Sequence, residues 1–264
     1  HRLLHEAEGL RQALASRAGA PTGQLVLGVL PSAEPVAARF AGLLQALHPG
    51  LQPVLRSLSS PEIEAGLDGL SIDLGLGYTA RPEVRQRQLT VWPQYEERCW
   101  LLQADGPAEA PFRLGPPLAW ADAARLRLAL LTPDMHFRAL VDEAFAAAGR
   151  SPRPALETNS VLALLMAVQP GEGAAAGLCA VLPGALVSVA RGRSGLLARP
   201  LDAPLLRTPV GFLTTAAGRP TLALQAALAV AQRPGWHDLV AAHSGALGLD
   251  GEAGTAAAAA SVSP

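Results

Sequence analysis

QLVLGVLPSAEPVAARFAGLLQALHPGLQPVLRSLSSPEIEAGLDGLSIDLGLGY, residues 24–78, decides the fold through its punctuation. Leu25–Leu30 is a short apolar run, as expected of a strand buried on both faces. From Pro35 to Leu47 the apolar residues Val36, Phe40, Leu43, Leu44 and Leu47 return at helical spacing. Pro53–Arg56 reads as a second strand, Pro61–Leu67 as a second helix and Ile72–Gly77 as a third strand. The order β-α-β-α-β implies a doubly wound, mostly parallel sheet with helices on both faces.

Upstream, Leu3, Ala7, Leu10 and Leu14 keep the 4-3-4 rhythm of a coiled-coil seam. Residues 1–20 are therefore expected to form the end of a linker or dimerisation helix, closed by Gly19–Gly23. Downstream, Arg98–Leu102 is expected to be a strand, followed by a proline-rich connection at 107–117. The rhythm then restarts. Leu128–Leu131, Ala155–Thr158 and Cys179–Pro183 read as strands, with helices at Phe137–Ala148 and Val161–Val168 between them. A further strand at Thr208–Thr214 and a helix at Leu222–Ala231 follow. The tail at 245–264 ends in the low-complexity run GEAGTAAAAASVSP and is expected to be disordered.

Two copies of one α/β plan imply two lobes. In such sheets ligands bind beyond the carboxyl ends of the strands, so facing lobes create a cleft. The strand-to-helix junctions carry hydroxyls or an amide: Ser32, the pair Ser59-Ser60, Thr132 and Asn159. Each alone also reads as a plain helix cap. Four at equivalent places point instead to a cleft for an anion, because helix starts present unpaired N–H groups. His136 and Arg138 follow Thr132 closely, Tyr78 and Thr79 end the third strand, and all four stand near this gap. Arg138 could pair with a carboxylate or with Glu143.

Composition excludes much else. Of 264 residues 50% are hydrophobic and 16% charged, and the net charge is −1. This leaves no clustered cations for gripping nucleic acid. Every basic residue is Arg, so Schiff-base and lysine general-base chemistry are excluded. Cys99 and Cys179 read as reduced, buried thiols, too few for a zinc site. No apolar run approaches the ~20 residues of a membrane span. The stretch before residue 20 lacks the pattern of a signal peptide. G-x-S-x-G, H-E-x-x-H, the P-loop and a strand-linked G-x-G-x-x-G are all missing. No catalytic residue, cofactor or metal is expected.

From residue 1 to about 232 the chain resembles the linker-helix end and effector-binding domain of LysR-type transcription regulators. GQLVLGVLPSAEPVAARFAGLLQALHPGLQPVL is similar to the family's first strand, helix and turn into the second strand. SSPEIEAGLDGLSIDLGLGY, FRALVDEAFAAAGRSPRPALETNS, GLCAVLP and GLLARPLDAPLLRTPVGFL follow the family's order. The resemblance implies a two-lobed fold like type 2 periplasmic binding proteins. Its first lobe would span 24–126 with 208–232, its second 127–207. It implies a cytoplasmic homodimer or homotetramer that is no enzyme and responds to a small effector. The pocket positions carried over are Ser32, Ser59, Ser60, Thr132 and Asn159, with His136 beside them. LLTPDM and ETNS further resemble regulators associated with formate dehydrogenase genes, which points to formate or another small carboxylate. DNA binding would reside in a helix-turn-helix that should precede residue 1. The family's short turn before its "vlP" strand is stretched here to 169–177. The alternative reading is a solute-binding protein of the same fold serving a transporter; a dimerising helix favours the regulator.

Overall fold

The computed structural model describes residues 20–170, 177–216 and 219–245. The expected coiled-coil helix at 1–18, the tail beyond 245 and most of the stretched turn lie outside the described residues.

In the first lobe, β1 (Gly23–Val29) lies between β2 (Leu51–Ser57) and β3 (Leu74–Tyr78), parallel to both. Helix α1 (Glu34–Leu47) covers one face with Val36, Ala37, Phe40 and Leu44, the residues its 3.6 periodicity brings to one side. Helix α2 (Ser60–Asp68) covers the other with Ile63 and Leu67. That helix approaches so closely that a Cβ on Gly75 would stand 2.6 Å from Ile63, so the strand needs glycine there.

Strand β4 (Thr90–Ala104) is the long element that the sequence reading shortened to Arg98–Leu102. Its first half, Thr90–Arg98, pairs antiparallel with β11 (Arg207–Thr214). Its second half belongs to the other lobe. There Cys99–Leu102 pairs with β9 (Cys179–Pro183) and Trp100–Ala104 with β10 (Leu196–Asp202), both antiparallel. The ladder shifts register between Val210 and Gly211, opposite the segment holding Pro93. A bulge tolerates a residue with no N–H to donate.

The second lobe repeats the first. β7 (Leu128–Leu131) lies between β8 (Leu156–Thr158) and β9, parallel to both, flanked by α5 (His136–Ala147) and α6 (Val161–Met166). Helix α7 (Gly184–Ala190) and strand β10 follow, and β10 gathers the short β5 (Arg113–Leu114) and β6 (Leu118–Ala119). Helices α3 (Pro82–Gln86) and α4 (Trp120–Ala123) are single turns that no periodicity announced. The chain returns through β11 to the first lobe and closes it with α8 (Leu222–Ala231) and α9 (Pro234–His243).

Hydrogen bonding runs without a break in the order β2-β1-β3-β11-β4-β9-β7-β8, because β4 serves both sheets. Burial, by contrast, divides in two. One cluster centres on Phe40, whose ring lies 4.6 Å from Phe212 and 5.0 Å from Trp236. The other centres on Trp120 against Phe145, at 4.9 Å. These clusters move the expected boundaries. Cys99–Leu102, Trp120 and Ala123 pack in the second cluster rather than the first, since the chain changes lobe within β4 and not at residue 127. Trp236 and Val240 extend the first lobe beyond residue 232.

Candidate functional site

Between the lobes lies a cleft of about 250 Å3. From the first lobe it is lined by Leu30, Pro31 and Ser32 after β1, Ser59, Ser60 and Pro61 after β2, and Tyr78 and Arg81 after β3. From the second come Leu131, Pro133–Phe137, Ala139 and Val161. Three parallel strands thus deliver their carboxyl ends to one wall, where a doubly wound sheet puts its ligand.

The junctions are built differently from one another. After β1 the chain makes a 3-10 turn, Pro31–Ala33, before α1, and Ala33 rather than Ser32 is the N-cap. Ser32 is buried all the same, and its Oγ lies 3.4 Å from the Tyr78 hydroxyl. After β2, Ser59 is the N-cap of α2, as expected. The Glu62 carboxylate reaches back to accept from the Ser59 N–H at 2.8 Å and its hydroxyl at 2.7 Å. Those two bonds hold the Glu62 carboxyl below its usual range, the hydroxyl contributing most. Ser60, one position on, is 5% exposed, and its Oγ has no partner. A buried hydroxyl without a partner is costly, and a ligand oxygen would satisfy it.

In the second lobe Thr132 is not a cap. Met135 is the N-cap of α5, and the turn Thr132–Met135 carries His136 into the cleft. The Thr132 Oγ1 is buried without a partner, and Thr132 stands outside the lining, although its chain neighbours Leu131 and Pro133 belong to it. Asn159 is exposed and stands outside the lining; its neighbour Ser160 caps α6 by accepting from the Ala163 N–H at 3.2 Å. Of the six residues expected in the pocket, the structure brings Ser32, Ser59, Ser60 and His136 to one cavity, and leaves Thr132 outside its lining and Asn159 at the surface. Arg138 does not face the cleft. It binds the Leu131 carbonyl, Asp142 and Glu157 instead of the expected Glu143, and so ties α5 to β7 and β8.

Arg81 is the cleft residue that the sequence reading missed. Its Nε donates to the buried Glu64 at 2.7 Å and its Nη2 pairs with Glu83 at 3.1 Å. The remaining arm reaches His136 Nδ1 across the gap at 3.3 Å. An arginine always donates, so that ring nitrogen accepts and the imidazole is neutral. Burial, then the Arg81 charge, lowers the His136 pKa, in keeping with this arrangement. The Tyr78 ring also packs on His136, with centroids 5.0 Å apart. Arg81 follows a strand end with no helical or strand pattern of its own; only the meeting of the lobes reveals it.

Among the described residues no group of three or more His, Cys, Asp or Glu is placed to hold a metal ion, and no helix is long and apolar enough to cross a membrane. The cleft offers hydroxyls, helix starts, one neutral imidazole, the Arg81 guanidinium and the Asp134 carboxylate on a largely apolar background.

Residues 18–234 match the family model of the LysR substrate binding domain. The chain belongs to this family. LysR substrate-binding domains are non-enzymatic regulatory modules with the two-lobed, periplasmic-binding-protein-like fold described above. Solved structures agree on the fold. A Corynebacterium glutamicum OxyR C206 mutant superposes with a TM-score of 0.67 at 17% identity, covering 91% of this chain and 73% of that one. CbnR, a LysR family transcriptional regulator, gives 0.64 at 17% identity, over 88% and 76%. The reduced regulatory domain of Pseudomonas aeruginosa OxyR gives 0.61 at 17%, over 80% and 98%. No curated protein matched the sequence.

Proposed function

We propose that this domain is the effector sensor of a LysR-type transcription regulator and that its interlobe cleft takes a small carboxylate. One observation carries the ligand class. The start of α2 and the start of α5, from opposite lobes, line the same cavity, and the Ser60 hydroxyl there is buried with nothing to bind. Helix starts favour an anion, and the free hydroxyl favours an oxygen ligand. Ser32, Ser59, His136 and Arg81 complete the polar ring, with Thr132 outside it. Asn159 would join only if the lobes closed further.

Leu30, Leu131, Met135, Phe137 and Val161 make much of the remaining lining apolar, with Arg81 and Asp134 its charged members. An acid with a short apolar body fills such a space better than formate does, so formate is the lower bound of the class. A ligand touching both lobes fixes their relation, which is the change a regulator transmits. DNA contact would fall to a helix-turn-helix outside these residues, pairing of subunits to the segment at 1–20, and the site of action to the cytoplasm.

The test is a thermal-shift panel running from formate through larger monocarboxylates to dicarboxylates. Native-state binding raises the melting temperature with ligand concentration. At least one acid is expected to do so at millimolar concentration. No shift from any of them would remove the carboxylate reading.

A further inference from the structure

On the strand the lobes share sits an ionisable side chain that lies outside the cleft lining and bonds to one of its residues. Glu97 of β4 is 2% exposed. Its Oε2 accepts from the Tyr78 hydroxyl at 2.9 Å, and its Oε1 has no partner. Tyr78 in turn stands 3.4 Å from Ser32 Oγ, and Ser32 lines the cavity. Three oxygens thus lead from a buried carboxyl to the ligand.

We propose that Glu97 sets the hydrogen-bonding polarity of the effector site through Tyr78 and Ser32, so that binding an anionic effector is coupled to uptake of one proton by Glu97. The inference rests on the cleft being the effector site. It follows from counting protons. Each hydroxyl owns a single hydrogen. When Glu97 is ionised it can only accept, so Tyr78 gives its hydrogen to Glu97 and must accept from Ser32. Ser32 then turns its hydrogen away from the cleft and offers lone pairs, which repel a carboxylate. When Glu97 takes a proton from solvent, it donates to the Tyr78 oxygen. Tyr78 then donates to Ser32, and the Ser32 hydrogen is free for the ligand.

The surroundings permit this exchange near neutrality. The groups facing Glu97 are Tyr78 from β3, Tyr95 and Cys99 from its own strand, and Thr208 opposite on β11. None is cationic, and no salt bridge to Glu97 exists among the described residues. His136 packs on the Tyr78 ring, Arg81 is bound to His136, Glu64 and Glu83, and Arg207 is held by Glu96. Burial therefore dominates and pushes the Glu97 carboxyl up to about 7, with the Tyr78 bond opposing it.

Two measurements test it. In the free protein, infrared spectroscopy across neutrality should show a protonated carboxyl band that fades as pH rises through about 7 and is missing from Glu97→Gln. No such band overturns the proposal whatever the ligand does. In calorimetric titrations with acetate, run in buffers of different ionisation heat, the parent should take up close to one proton per ligand above neutrality. Its affinity should fall toward tenfold per pH unit there. Glu97→Gln keeps a donor toward Tyr78 at every pH and should bind without that slope. Tyr78→Phe cuts the relay and should lose the slope while the infrared band remains; a slope kept by Tyr78→Phe overturns the relay. Acetate binding that is pH-independent in the parent sinks this proposal alone. Acetate that binds none of the three proteins at any pH sinks this proposal, and the carboxylate reading falls with it when every other acid of the panel is silent too.

Discussion

The two walls of the cleft come from the same supersecondary plan, yet they are furnished differently. In the first lobe a 3-10 turn joins β1 to α1 and Ser59 caps α2, and Ser32, Ser59 and Ser60 arrive at the cavity itself. In the second lobe a turn separates β7 from α5, and Ser160, not Asn159, caps α6. The first wall therefore offers hydroxyls and the Arg81 guanidinium, while the second offers His136, Asp134 and the start of α5. Equivalent positions in a repeat fix where a helix begins, not which side chain its first turn presents.

The comparison breaks at its root if the lobes are not separate cores. Trp120→Ala tests this and carries the largest effect. Trp120 is fully buried, packs edge-on against Phe145, and donates its Nε1–H to the Pro204 carbonyl at 2.9 Å. Emptying such a site costs about 4 kcal/mol. Hydrogen exchange should then accelerate through β7, β8 and β9 while β1 and β3 keep their protection. Equal loss on both sides would mean that β4 binds the lobes into one cooperative unit, and the two walls could not be discussed apart.

That strand also marks where the sequence stopped being legible. The β-α-β-α-β order showed plainly in both halves, because apolar runs and helical spacing alternate with Pro, Gly and Ser at the joints. β4 did not. Its first half holds Pro93, Gln94, Glu96 and Arg98, a polar stretch that no strand pattern favours. Pairing with β11 and a bulge overrode local preference there. β10 hid for a similar reason, with Arg199 and Pro200 inside it. At the site, Ser32, Ser59, Ser60 and His136 were readable because a strand end followed by a helix start has a fixed address. Arg81 and Glu97 were not. One matters through a contact across the gap, the other through burial in a strand shared by both lobes. Neither property exists until the lobes are assembled.

A finer test sets one hydroxyl from each wall against the other. Ser60 Oγ and Thr132 Oγ1 are both buried without partners, but only Ser60 lines the cavity. Removing either should leave stability nearly unchanged, since no bond is lost. Against the tightest-binding carboxylate of the panel, Ser60→Ala should weaken binding about tenfold, roughly 1.4 kcal/mol. Thr132→Ala should weaken it less, because Thr132 stands outside the cavity lining. Calorimetry on both variants gives the ranking. The reverse order would move the anion to the second lobe and turn the comparison over.

Asn159→Ala carries the smallest expected effect and sharpens the contrast most. Its side chain is exposed outside the lining, and the helix beside it is capped by Ser160, which also receives support from Thr158 at 3.1 Å. Surface changes of this kind stay within about 0.5 kcal/mol, so melting temperature and carboxylate affinity should both hold within roughly a factor of two. A larger loss of affinity with unchanged stability has one physical source: the ligand draws the β8–α6 turn inward, and Asn159 meets it only in the closed arrangement. In that case the asymmetry of the walls would describe the open cleft alone. Closure would supply the second lobe's missing polar group, and the free energy of that extra contact would be the signal passed to the rest of the regulator.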